Sequence, residues 1–313
     1  MKGVNVSEPT NEIHGVDHDT EAAGVPDWFG EALRARPEEG SIDVDGCPIV
    51  FRWWGDRSNP VVLLVHGDGA HSRWWDHVAP HLIASSCVVA LDLSGHGDSG
   101  RRSEYSLQGW AREITGVLEG FGGPDLPVVV GHSAGGHAAI RAATSIGDRL
   151  GGLVVVEAAV RESPPMANAT RSQVFGRLKV YPTEAAALER FRLWPDSPEA
   201  LPYILNHVAR SSLRRVPGGW SWKFDPPIAI RPDDVSLADL ARVTCQVAII
   251  GGERGLLTAD AARQMQDRLN RSVPFVEIAG GHHHIMLDQP LQLIAALRTI
   301  LAEWQNSPIP HRP

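Results

Sequence analysis

Short apolar runs recur along the chain at Ile49–Trp53, Val61–Val65, Cys87–Leu91, Val128–Val130, Leu153–Val156, Val247–Ile250 and Phe275–Ile278. Their length and branched side chains suit strands buried on both faces. Between most of them lie amphipathic stretches of helical length: Leu107–Gly120, Ala134–Ile146, Ala259–Leu269 and Leu291–Trp304. Strands alternating with helices predict a mostly parallel α/β sheet flanked by helices on both faces. The alternation stops between residues 161 and 240, where helical patterns (Glu184–Leu193, Leu201–Leu213), prolines, three tryptophans and a Gly-Gly turn replace the strands. This interval is expected to form a helical cap inserted after the sixth strand, over one end of the sheet. Residues 1–40 are polar and acidic and read as a partly flexible arm. Within the arm, Val25–Leu33 has two competing readings: a short amphipathic helix docking through Trp28, Phe29 and Leu33, or an irregular terminus with one packing contact. The expected division is therefore an arm at 1–40, a core at 41–160 and 241–305, and a cap at 161–240.

Charge narrows the partners. The 313 residues carry a formal net charge of −8, which lacks the basic footprint that nucleic acid or an anionic membrane surface requires. No stretch approaches the ~20 apolar residues of a membrane span, and the first residues hold no apolar signal segment. Cys47, Cys87 and Cys245 are too few and too scattered for a disulfide framework, so a reducing, cytoplasmic setting is expected. Oligomeric state is not readable, and a homo-oligomer stays open.

Chemistry concentrates in Gly131-His132-Ser133-Ala134-Gly135-Gly136, which follows three valines. The pattern G-x-S-x-G between a strand and a small-residue helix start puts a serine on a strained turn. Side chains two residues to either side would collide with it. The turn exposes the Ser133 hydroxyl at the C-terminal sheet edge and sets the Ala134 amide at a helix N-terminus, where it can donate to an oxyanion. A second element, Val61–Val65 followed by His66-Gly67-Asp68-Gly69, is a buried strand ending in His-Gly.

With these two elements the sequence resembles the α/β-hydrolase fold superfamily over roughly residues 45 to 305. The resemblance implies that the amide of Asp68 is the second oxyanion donor and that His66 is structural. It also implies a late catalytic histidine. In Gly280-Gly281-His282-His283-His284-Ile285-Met286-Leu287-Asp288-Gln289-Pro290, the family spacing to Leu287, Asp288 and Pro290 selects His283. Three adjacent histidines invite a metal reading. Neighbouring residues point in different directions, however, and no other ligand set stands nearby at ligand spacing, so no metal is expected.

The acid departs from the family pattern. After Val247–Ile250 the chain reads Gly251-Gly252-Glu253-Arg254-Gly255, with Gly255 where the aspartate belongs. Glu157, directly after Leu153–Val156, is the favoured substitute. Some superfamily members, notably in the haloalkane dehalogenase group, carry their acid at this strand end, and a glutamate ending four apolar residues is hard to bury without a partner. Glu253, and a triad lacking an acid, are the alternatives; Asp260 belongs to the first turn of the next helix. Gly95-His96-Gly97-Asp98-Ser99-Gly100 matches G-x-G-x-x-G, but no apolar helix opens at its third glycine. It resembles a structural loop of the superfamily, so no nucleotide cofactor is expected.

These residues point to a serine hydrolase of a carboxylic ester or lactone acting through an acyl-enzyme, with Ser133 as nucleophile, His283 as base, Glu157 as acid and the amides of Asp68 and Ala134 as oxyanion donors. No cofactor or metal is needed. The cap tryptophans Trp194, Trp220 and Trp222, with Trp28 of the arm, are candidate contacts for an apolar, ring-bearing substrate. Core packing of the cap is the competing role for Trp220 and Trp222. The strand-end glutamate, the arm and the aromatic cap together look similar to bacterial zearalenone lactonases. A C–C bond hydrolase of aromatic-degradation products and a catalytically silent ligand receptor remain the alternatives. Dehalogenase and epoxide chemistry are disfavoured because they use an aspartate nucleophile where Ser133 stands.

Overall fold

In the computed structural model, residues 24–161, 176–229, 234–269 and 271–306 are described. All seven apolar runs fall in strands. With Glu38–Val44 (β1) added, they form one eight-stranded sheet: β2 (Cys47–Trp54), β3 (Val61–Val65), β4 (Cys87–Leu91), β5 (Val128–His132), β6 (Gly152–Val156), β9 (Val247–Gly252) and β10 (Phe275–Ile278). The order is β1-β2-β4-β3-β5-β6-β9-β10. The six strands from β4 to β10 run parallel, and β1 and β2 add an antiparallel edge. β1 has no apolar run to announce it. It is an edge strand with one hydrogen-bonded neighbour, and most of its residues reach solvent.

Period-two alternation divides each central strand between two cores. Val61, Leu63 and Val65 join one core, under α2 (Leu107–Phe121), α3 (Ala134–Ile146) and α7 (Ala259–Leu269), with Trp110, Ile114, Ile140 and Met265. Val62 and Leu64 face the other, which holds Trp75, Leu287 and the inner side of α9 (Pro290–Asn306). Helix α1 (Asp27–Arg34) docks on this second face, the helical of the two readings of this segment. Phe29 is buried there, and Trp28 and Leu33 pack beside it.

Between β6 and β9 lie α4 (Glu184–Leu188), α5 (Pro202–Ser211), a separate hairpin of β7 (Leu213–Val216) and β8 (Gly219–Trp222), and α6 (Leu237–Leu240). The hairpin adds strand to an interval that the sequence reads as helical. The predicted helix Leu201–Leu213 ends at Ser211, and Leu213 opens β7 instead, joined to β8 through Gly218 and Gly219. Ala187, Leu213 and Trp222 form a small core here, with Tyr181, Phe191, Trp220 and Phe224 against it. The G-x-G-x-x-G stretch is a loop pinned by Asp92, whose carboxylate accepts from the amides of Ser72 (2.6 Å) and Asp98 (2.8 Å). No helix starts until Leu107.

Candidate active site

Ser133 sits between β5 and α3 with φ +53° and ψ −123°, the left-handed conformation that a side chain adopts only under local constraint. The surrounding glycines are required by contact. A Cβ on Gly131 would lie 2.7 Å from the carbonyl oxygen of Gly135, and one on Gly135 would lie 2.2 Å from that of His66. The helix therefore starts against β3, and the Ala134 amide falls at its N-terminus.

His283 follows β10 in the loop that ends in α8 (Ile285–Asp288). Its Nε2 lies 3.0 Å from Ser133 Oγ, and its Nδ1 lies 3.1 Å from Glu157 Oε2. The loop is shaped by the buried Asp288, which accepts from the backbone amide of His282 (2.9 Å) and lies 3.2 Å from that residue's ring. Glu157 leaves β6 in the left-handed region as well, at φ +50°. It is 2% exposed. Its Oε1 accepts from the amide of Gly252 (2.8 Å), and its Oε2 from that of Leu256 (2.7 Å) in addition to facing His283. The Glu157 carboxylate, held by backbone amides, is an acceptor towards the ring and so favours the Nδ1–H tautomer of His283.

The glycine at 255 acquires a physical reason. A Cβ there would stand 2.2 Å from Glu157 Oε1. The glutamate carboxylate, arriving from β6, fills the space in which a side chain at 255 would begin. Glu253 is turned away and accepts from the amide of Gly280 (2.7 Å), while Asp260 is in the first turn of α7.

His66 is buried, accepting at Nε2 from the amide of Leu93 (3.0 Å) and lying 2.8 Å from the Gly67 carbonyl through Nδ1. Asp68 follows on the same turn after β3. The four tryptophans fall in different places. Trp28 packs against Phe29, His77, His81 and Tyr203. Trp222 lies in the small cap core beside Phe191 and Tyr181. Trp220 stacks under Arg215. Trp194 is 44% exposed and precedes Pro195, whose carbonyl accepts from His284 at 3.2 Å. Only Trp194 is thus tied to the histidine loop by a contact one residue away. A groove of about 910 Å³ opens at the opposite sheet edge, near Val61, Val128 and Gly151, and holds none of the residues named here.

Sequence reasoning missed His132. It precedes the serine on β5, and its Nε2 donates to the backbone carbonyl of His283 (2.8 Å), tying the strand to the histidine loop. From the sequence, no metal is expected at the three consecutive histidines. The fold assembles a different set, in which one ring nitrogen from each of His132, His283 and His284 lies within 4.8 Å of the others. Burial holds His132 well below the usual imidazole range and pushes His284 down to about 3, with the nearby His283 adding to both. Both are neutral rings at neutral pH.

The family model described as "Alpha/beta hydrolase family" matches residues 62–297. The esterase Rv0045c of Mycobacterium tuberculosis is 29% identical over 310 residues, which cover 93% of this chain and 98% of that one. Lipase LipV of the same organism is 25% identical over 256 residues, covering 79% and 95%. Among solved structures, "Transition metal inhibition and structural refinement of the M. tuberculosis esterase, Rv0045c" superposes with a TM-score of 0.71 at 24% identity, over 89% of this chain and 99% of that one.

Proposed function

The chain belongs to the α/β-hydrolase family, and from that premise we propose that it is a serine hydrolase of carboxylic esters working through an acyl-enzyme. The observation that carries the reading is the hydrogen-bonded series Ser133–His283–Glu157, set on a left-handed serine at the C-terminal edge of a parallel sheet. Relatives named as an esterase and a lipase support the same bond class. Ser133 attacks the ester carbonyl while His283 Nε2 takes its proton. Glu157 stabilises the imidazolium that forms, and the amides of Ala134 and Asp68 receive the oxyanion. Protonated His283 then gives its proton to the leaving alkoxide. In the second half, His283 activates water, which releases the acid and restores Ser133.

The substrate class proposed is an apolar, ring-bearing ester or macrolactone, of which zearalenone is the candidate, with the exposed Trp194 as its aromatic contact. A catalytically silent receptor is the reading that a triad without an acid would favour; the Glu157 carboxylate 3.1 Å from His283 Nδ1 supports the hydrolase instead. The solved Rv0045c structure is named for transition-metal inhibition of that esterase; we infer the same susceptibility here.

Ser133→Ala tests the core of the reading. Wild type should be labelled by a fluorophosphonate and should turn over a simple aryl ester. The variant should do neither, a loss of about a thousandfold or more. Undiminished turnover by Ser133→Ala would exclude the serine mechanism.

A further inference from the structure

We propose that His132, His283 and His284 form a site for a zinc-type divalent transition-metal ion, and that its occupation inhibits the enzyme. Three features of the side chains support it. The first is proximity: one nitrogen from each ring lies within 4.8 Å of the others, and all three rings are buried. The ring centroids of His132 and His284 stand 4.9 Å and 5.0 Å from that of His283.

The second is an arrangement of outer partners like that around metal-bound imidazoles, each of which presents its other N–H to a carboxylate or backbone carbonyl. His132 Nε2 donates to the His283 carbonyl, His284 Nε2 donates to the Pro195 carbonyl, and His283 Nδ1 faces the Glu157 carboxylate. Those bonds fix the tautomers and leave one lone pair on each ring: Nδ1 of His132, Nδ1 of His284 and Nε2 of His283.

The third is that two of these lone pairs have nothing to do. His132 Nδ1 and His284 Nδ1 are buried and find no hydrogen-bond partner among the described residues. A buried polar atom in that state costs about 1–3 kcal/mol, which makes it a ready ligand.

Three imidazoles are a donor set for zinc and its transition-metal neighbours rather than for calcium or magnesium, which prefer oxygen. Metal–nitrogen bonds of about 2.0–2.1 Å bring tetrahedral ligands to roughly 3.4 Å from one another. Ring nitrogens already within 4.8 Å of one another therefore close by at most about 1.4 Å when a metal binds. Coordination uses the His283 lone pair that otherwise accepts the Ser133 proton. The ion thus replaces the serine–histidine hydrogen bond and removes the base, while Glu157 stays on Nδ1. Binding needs only the three rings; its effect on turnover rests on the esterase reading above.

The test separates the two. Zinc binding is followed by calorimetry on Ser133→Ala, which has no nucleophile, and on the same protein carrying His132→Gln or His284→Gln. Cobalt(II) visible absorption serves as a second readout of tetrahedral nitrogen coordination. Saturable one-to-one binding, weakened at least tenfold by either histidine substitution, is expected. In the active enzyme, zinc should inhibit aryl-ester turnover reversibly, with EDTA restoring the rate. With each protein normalised to its own metal-free rate, the zinc concentration that halves turnover should be at least tenfold higher for His284→Gln than for wild type. Binding that is equally tight in all three proteins would place the metal elsewhere and overturn the proposal, as would the absence of binding to a folded Ser133→Ala protein. Zinc binding at these rings without any esterase activity would leave the site standing and overturn only the functional reading.

Discussion

At the scale of single residues, the site turns on where one carboxylate enters. Ser133 and Glu157 are two of only three non-glycine residues with positive φ among those described. Each marks a point where the chain turns sharply off a strand end to aim a side chain. Glu157→Gln keeps the shape of the side chain but offers His283 either an amide N–H or a neutral oxygen. Turnover should fall about a thousandfold or more while fluorophosphonate-accessible Ser133 remains present. Glu253→Gln, whose carboxylate faces Gly280 instead, should stay within a few-fold of wild type. The reverse ranking would move the acid to Glu253. Gly255 offers a sharper version of the same experiment. Gly255→Asp alone should destabilise the protein, because its Cβ would stand 2.2 Å from the Glu157 carboxylate. Combined with Glu157→Ala, the clash is gone and the new aspartate starts from the vacated space. The double variant should then exceed Glu157→Ala in turnover by tenfold or more. Equal rates in the two would mean that an aspartate from 255 cannot reach His283.

Between elements, the buried Asp76 holds the core and the cap interval together. Its carboxylate meets Arg52 of β2 on one side and His207 of α5, at 3.0 Å, on the other. Arg52 is almost wholly buried, so removing Asp76 leaves its guanidinium with only the half-exposed Glu39 carboxylate, 3.1 Å from Nε. Asp76→Asn should cost about 3 kcal/mol by urea unfolding. His207→Ala, which deletes only the more exposed arm, should cost about 1 kcal/mol or less. Equal losses would mean that the contact with α5 carries the energy. None of this network was legible in the sequence, since it joins residues 52, 76 and 207 through the fold. The central strands were legible because each is a continuous apolar run, buried on both faces. β1 was not, because an edge strand needs no such run, and the β7–β8 hairpin is only four residues a side. Ser133 and His283 could be read from local patterns that the fold requires. Glu157 could be read because a charge at the end of a buried strand demands partners, which it finds in the backbone amides of Gly252, Leu256 and Leu257 and in an imidazole. His132 gave no signal: its role depends on β5 lying beside the histidine loop.

Taken as a whole, the molecule buries an unusual amount of imidazole, and this sets how it should respond to acid. His71, His77, His132 and His284 are all shifted below the ordinary imidazole range, with burial the leading cause; His77 is pushed down to about 4. In the unfolded chain each titrates near 6.5. Between about pH 6.5 and 4 the unfolded state therefore binds more protons than the folded one, and stability rises with pH across that window. Stability from these neutral rings is fully present above about 6.5 and is lost progressively as pH falls toward 4. His77 illustrates the size: a shift from 6.5 to about 4 corresponds to on the order of 3 kcal/mol between the two ends of the window. Its Nε2 lies 2.6 Å from the Met286 carbonyl, and His77→Gln can keep a donor there while removing the titration. Urea unfolding, followed by tryptophan fluorescence at pH steps from 7 to 4.5, should show a steep loss of stability in wild type. The loss should be shallower in His77→Gln by up to one proton, or about 1.4 kcal/mol per pH unit. The difference between the two proteins isolates His77 from the carboxylates that titrate in the same range, because those are common to both. Parallel curves would mean that His77 takes up its proton without unfolding the chain.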